Sequence, residues 1–176
     1  MRDFFMQHLS QRPDIKVALT KADKRNIAAS KLTLLLCFVL PVVSFTFLPE
    51  TIPSHFNLKG EVDGYSNRLI IFILPIVGLF VFGLLRVVAD YPQMHNYLND
   101  ITKDNAAFYY GKSVRFLNRL ALYIAVLFLF IEAETIYSAL YGKVFMPWLM
   151  IASIILFTVF TIYTAINAGT QKPPAS

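Results

Sequence analysis

Four long apolar stretches, at residues 32–48, 69–88, 116–140 and 146–168, limit what this chain can become. A helix rises about 1.5 Å per residue, so roughly 20 apolar residues cross the ~30 Å hydrocarbon core of a bilayer. The apolar residues come in blocks, not at the spacing of one helix face or of alternate strand positions. Charged residues are 15% of the chain, against about 25% in average soluble domains. The sequence therefore predicts an all-α, polytopic membrane protein with four transmembrane helices. Residues 1–31 form an N-terminal cytoplasmic segment, 32–168 the membrane domain with an extracytoplasmic loop at 49–68, and 169–176 a cytoplasmic tail.

Prolines punctuate the spans. Pro41 is expected to bend the first and Pro49 to end it; Pro75 lies inside the second, and Pro92 forbids its long continuation. Gly78 and Gly83 also lie in the second span, too far apart for the four-residue small-residue pairing face. They imply a kink and close helix contact. Helical patterning begins near Asp104 and runs into the third span, with Asp100, Thr102 or Asp104 as its cap. Tyr109, Tyr110 and Arg115 suit entry at the membrane interface. On the fourth span Ser153, Thr161, Thr164 and Asn167 offer packing hydrogen bonds. Cys37, the single cysteine, excludes an intrachain disulfide and reads as a small packing residue.

The N-terminal lead is too long for a secretory signal and reads as a retained segment. Phe4, Phe5, Met6 and Leu9 either form an apolar face against headgroups or belong to a loosely ordered terminus. Of the 16 Lys and Arg residues, only Lys59, Arg68 and Lys143 fall in the two segments opposite the termini. The positive-inside rule then makes both termini cytoplasmic and turns 49–68 outward. This distribution accounts for the net charge of +5. No basic–aromatic interleaving points to nucleic acid.

The loop at 49–68 is rich in turn formers and polar groups. Asn57–Leu58–Lys59–Gly60 and Asp63–Gly64 read as tight turns, with positive φ expected at Gly64. His55, Glu61 and Asp63 are near enough in sequence to converge on a divalent ion. The favoured reading is that His55 and Asp63 instead fix the loop by hydrogen bonds, with no metal. Glu132 and Glu134 lie about 200° apart around a helix and so point to different faces, near one end of the third span. They are either an ion or proton site or an interfacial pair reaching water. No nucleophile–base pair, phosphate loop or paired-His helix is present, so neither an enzyme nor a cofactor is expected.

The stretch Leu48-Pro49-Glu50-Thr51-Ile52-Pro53-Ser54-His55-Phe56-Asn57-Leu58-Lys59-Gly60-Glu61-Val62-Asp63-Gly64-Tyr65, followed by an apolar span, resembles a bacterial membrane domain of unknown function. That family includes SdpI-like proteins, which protect a producer cell against a sporulation-delaying toxin. The resemblance covers about residues 32–88. Its pattern falls on Pro53, His55, Asn57, Gly60, Asp63, Gly64 and Tyr65, with Arg68 in the place of a following basic residue. It implies ligand-binding or loop-fixing roles for these residues. Immunity members have further spans, which this chain lacks.

Two functions follow. One is a binding and protection module in the bacterial cytoplasmic membrane, whose outward loop takes a secreted peptide toxin, an envelope ligand or a membrane partner protein. The other is a small transporter or ion-coupled protein that uses Glu132.

Overall fold

The computed structural model describes residues 12–57, 59–145 and 147–170. Four helices and one hairpin follow in the order α1 (Lys21–Ser44), β1 (Thr51–Phe56), β2 (Val62–Asn67), α2 (Ile73–Asp90), α3 (Ala106–Tyr141) and α4 (Pro147–Thr170). The apolar face expected at Phe4–Leu9 lies outside the described residues.

Helix α1 starts earlier than the apolar block. Thr20 caps it: Thr20 Oγ1 accepts from Asp23 N at 3.1 Å, and Asp23 Oδ2 accepts from Thr20 N at 2.9 Å. This reciprocal box satisfies two of the donors that a helix start leaves open. Pro41 sits within continuous helix. A short 3-10 turn, Phe45–Phe47, follows before Pro49.

The expected loop is an antiparallel hairpin, so the fold is not purely helical. β1 pairs with β2 from Thr51↔Asn67 to Phe56↔Val62, with irregularities around His55. Pro53, which lacks an N–H, is tolerated because this two-stranded sheet has only edge strands. The hairpin is seated by an apolar cluster. Leu48, Ile52 and Ile71 are buried together against Ile136 and Ala139 of α3. Arg68 ties the hairpin base: its Nη1 donates to Leu48 O at 3.0 Å and its guanidinium lies 4.7 Å from the Phe45 ring centroid.

The cap of α3 is Asn105, not the residues the sequence suggested. Its side chain ties the approach instead, accepting from Thr102 N at 2.8 Å and donating to Asp100 O at 2.9 Å. With 36 residues, α3 is about 54 Å long and must project beyond a bilayer. Three helical segments have the length and apolarity to cross: Lys21–Phe47, Arg68–Asp90 and Ala106–Tyr141. In α4 the described apolar stretch is Ile151–Thr164.

Packing is inverted relative to a water-soluble bundle. Leu32, Val43, Phe80, Val87 and Leu156 face outward, while Ser30, Asn118, Glu132 and Ser138 are buried. So much exposed apolar surface is untenable in water, and small or polar residues at helix contacts are what membrane bundles use. The chain is an integral membrane protein. Helices α1 and α2 both pack on α3. Gly78 permits the closest approach: a Cβ there would lie 2.9 Å from Leu34 Cδ2 and 3.2 Å from Phe128 Cδ2. Gly83 has no such neighbour. On α4, Thr161 and Thr164 donate to carbonyls of their own helix, and the Ser153 carbonyl accepts from Tyr123 OH of α3. The Asn167 side chain is outside the described set.

At the end opposite the hairpin, polar segments fold onto the start of α3. Arg12 donates to His95 O at 2.7 Å and to Gln93 O at 3.1 Å, and lies 5.4 Å from the Tyr97 ring centroid. His95 bridges Ser113 Oγ and Val88 O at 2.6 and 2.7 Å. Burial pushes the Tyr97 phenol up to about 12, so it stays a donor, here to Pro92 O. Tyr109 and Tyr110 are buried in this cluster, and Tyr110 OH donates to Pro13 O. They hold the polar segments to α3.

Candidate functional site: the hairpin groove and a buried carboxylate

The turn of the hairpin is built by Asn57. Its Oδ1 accepts from Lys59 N at 2.8 Å and from Glu61 N at 3.0 Å, and its Nδ2 donates to Glu61 Oε2 at 2.9 Å. Gly60 takes φ 79°, which a residue without Cβ reaches at little cost. Asp63–Gly64 is not a turn, and Gly64 is not at positive φ. Gly64 faces His55 across the ladder, and a Cβ there would lie 3.0 Å from His55 Cβ. Close approach, not backbone freedom, is what asks for glycine.

His55 Nδ1 lies 2.5 Å from Asp63 Oδ1, and both side chains are well exposed. Glu61 is engaged by Asn57, so the three groups do not converge, and no metal-holding cluster occurs among the described residues. Ser54 and Ser66 add a hydroxyl contact of 3.2 Å. His55, Asn57, Asp63 and Arg68 thus fix the loop.

Pro53, Gly60 and Tyr65 do something further. With Lys59 and Glu61 they line an open groove of about 460 Å³ between the hairpin and the C-terminal end of α3, where Ser138, Gly142 and Val144 form the other wall. Tyr65 is 64% exposed. The groove offers an aromatic face, one cation and one anion over an apolar floor. That combination suits an amphipathic ligand.

Both glutamates of α3 are buried, so they are not a pair reaching water in this fold. Glu134 Oε1 accepts from Phe145 N at 2.5 Å, closing the turn into α4. Glu132 is 0% exposed, and neither carboxylate oxygen has a hydrogen-bond partner among the described residues. It lies nine residues before Tyr141, about 14 Å down the helix from that end.

Sequence reasoning missed a second polar layer. Arg86 Nη1 donates to the buried Asn118 Oδ1 at 2.7 Å and its Nη2 reaches Asp90 at 3.3 Å. Asp23 of α1 is within electrostatic reach of the same Asn118. The signal was present in spacing: Gly111, Asn118, Ala125 and Glu132 recur every seventh residue and are all buried. A seven-residue recurrence keeps residues on one slowly drifting seam.

Residues 32–79 match the family described as Domain of unknown function (DUF1648). That segment contains most of α1, the hairpin and the first turns of α2. An uncharacterized protein of Archaeoglobus fulgidus is 24% identical over 139 residues, covering 71% of this chain and 76% of that relative. No solved structure matches.

Proposed function

We propose that this protein is a non-enzymatic binding module of the bacterial cytoplasmic membrane, with four spans, cytoplasmic termini and an outward hairpin that takes a peptide or envelope ligand. The observation that carries this reading is the groove between the hairpin and α3, flanked by Tyr65, Lys59 and Glu61. A ligand seated there contacts the hairpin and the α3–α4 turn at once, so binding stiffens the outer end of the bundle. The resemblance to SdpI-like proteins makes a secreted, membrane-active peptide the first ligand to test, and immunity the role. The distribution of Lys and Arg supports the orientation, and α4, at 24 residues, is long enough for the fourth crossing.

The test uses cells sensitive to the sporulation-delaying toxin peptide, expressing the chain at matched membrane levels. Survival should rise with the wild type and fall back with Tyr65→Ala or Lys59→Glu. Glu132→Gln should retain protection. Protection that survives both groove changes and disappears with Glu132→Gln overturns this reading.

That result would favour the second reading, a small transporter or ion-coupled protein. One observation recommends it: the enclosed, unpartnered carboxylate of Glu132.

A further inference from the structure

The surroundings of Glu132 restrict what it can hold. The α1 side chain beside this seam is Cys37, whose Sγ lies 3.9 Å from Ala125 O. The nearest basic residue on α1 is Lys31, six residues back, about 9 Å along the axis. No titratable residue lies on α2 between Ile73 and Leu85, or on α4 before Tyr163. The part of the hairpin packed on α3 is the apolar Leu48–Ile52–Ile71 cluster. On α3 itself, Glu134 is turned to Phe145 N, Tyr123 to the Ser153 carbonyl, and Tyr137 is stacked beside Tyr141. Among the described residues no cation pairs with the carboxylate, and an unpaired charge at such a place is costly.

One acceptor is supplied by the backbone. Pro41 has no N–H, so the Cys37 carbonyl lacks the donor four residues on that a regular α-helix supplies. Cys37 and Pro41 are both fully buried. Helices α1 and α3 run in the same direction. Carbonyls point toward the hairpin end, while side chains lean back toward the helix start. The Cys37 carbonyl and the Glu132 side chain therefore lean toward each other along the helix axis.

We propose that Glu132 is a proton-binding site, which holds its proton in the closed bundle as a hydrogen bond to the Cys37 carbonyl that Pro41 leaves free. The proton comes from the aqueous phase and returns to it when the seam opens. A hard metal cation takes about six oxygen ligands. The seam offers the two carboxylate oxygens and one carbonyl, too few for such an ion and sufficient for a proton. The proposal deepens the ion-coupled reading. Proton occupancy is measured at equilibrium, so a failure of transport and a failure of this assignment are told apart.

The test is infrared spectroscopy of the full chain in lipid vesicles at neutral pH. The wild type should show the carbonyl stretch of a protonated carboxylic acid. Glu132→Gln should lose it and Glu134→Gln should keep it. Pro41→Ala restores a helix N–H to compete for the Cys37 carbonyl and should shift the band. Sodium or potassium chloride at constant pH should leave it unchanged. Peptide mapping after dicyclohexylcarbodiimide, an apolar reagent for protonated carboxyls, should place the adduct on Glu132. Absence of a Glu132-dependent band overturns the proposal. Loss of the band on adding either salt at constant pH also overturns it and makes the site one for a metal cation.

Discussion

His55 Nδ1 and Asp63 Oδ1 meet at 2.5 Å across the irregular part of the hairpin ladder. The pair joins the two strands where their register is interrupted. Because both side chains are exposed, its contribution is that of a surface pair, about 0–1 kcal/mol. Asp63→Asn should therefore raise amide hydrogen exchange in β1 and β2 by at most roughly five-fold. The helices should insert as before. Exchange spreading into α1 or α2 would show that the pair does more than lock the hairpin.

The two hairpin glycines should respond differently. At Gly60, where φ is 79°, replacement by Ala should cost about 1 kcal/mol, and Asn should recover part of it because Asn tolerates that conformation. At Gly64 Ala and Asn should cost alike, with no recovery by Asn, since any Cβ meets that of His55 at 3.0 Å and the strand must give by a few tenths of an ångström. Protease accessibility of the hairpin in each variant checks this. Equal behaviour of Asn at the two sites would contradict it.

Arg86 should matter more than its ion-pair partner. Arg86→Ala leaves the buried Asn118 Oδ1 without its donor, a loss of about 1–3 kcal/mol. Asp90→Ala removes an exposed contact of 3.3 Å, worth about 0–1 kcal/mol. Thermal unfolding in detergent should show the larger drop for Arg86→Ala. The reverse order would mean that Asn118 is not held through Arg86.

Helix packing gives a further contrast. Gly78→Leu should disrupt the approach of α2 to Leu34 and Phe128, because even a Cβ comes within 2.9 Å of Leu34 Cδ2. Leu34→Ala in the same chain should restore part of the loss. Gly83→Ala meets nothing within 4 Å and should be neutral or mildly stabilising. Thermal unfolding of the three variants decides between these outcomes.

The membrane character, the course of α3 and the packing role of Gly78 were legible in the sequence, because apolar length and small residues act locally. So was the Asn57–Gly60 turn, which needs only its own side chain and one positive φ. The pairing of β1 with β2 was not legible. Polar Ser54, His55, Ser66 and Asn67 lack the alternation that marks a strand, and the hairpin is set by Leu48, Ile52 and Ile71 packing on α3. Asp63–Gly64 looked like a turn and is ladder, because tertiary seating overrode local preference. Tyr110 looked interfacial and is buried, since its partner Pro13 lies 97 residues away in sequence. The buried, unpartnered state of Glu132 was not legible, because it depends on α1 packing against α3.

The proposed function stands on the hairpin facing outward, and one measurement tests that directly. Cysteines placed singly as Lys59→Cys and Lys103→Cys are both at exposed positions, and the native Cys37 is fully buried. In intact cells, a membrane-impermeant thiol reagent should label Lys59→Cys and leave Lys103→Cys unlabelled until the membrane is opened. Labelling of Lys103→Cys alone in intact cells would contradict the account.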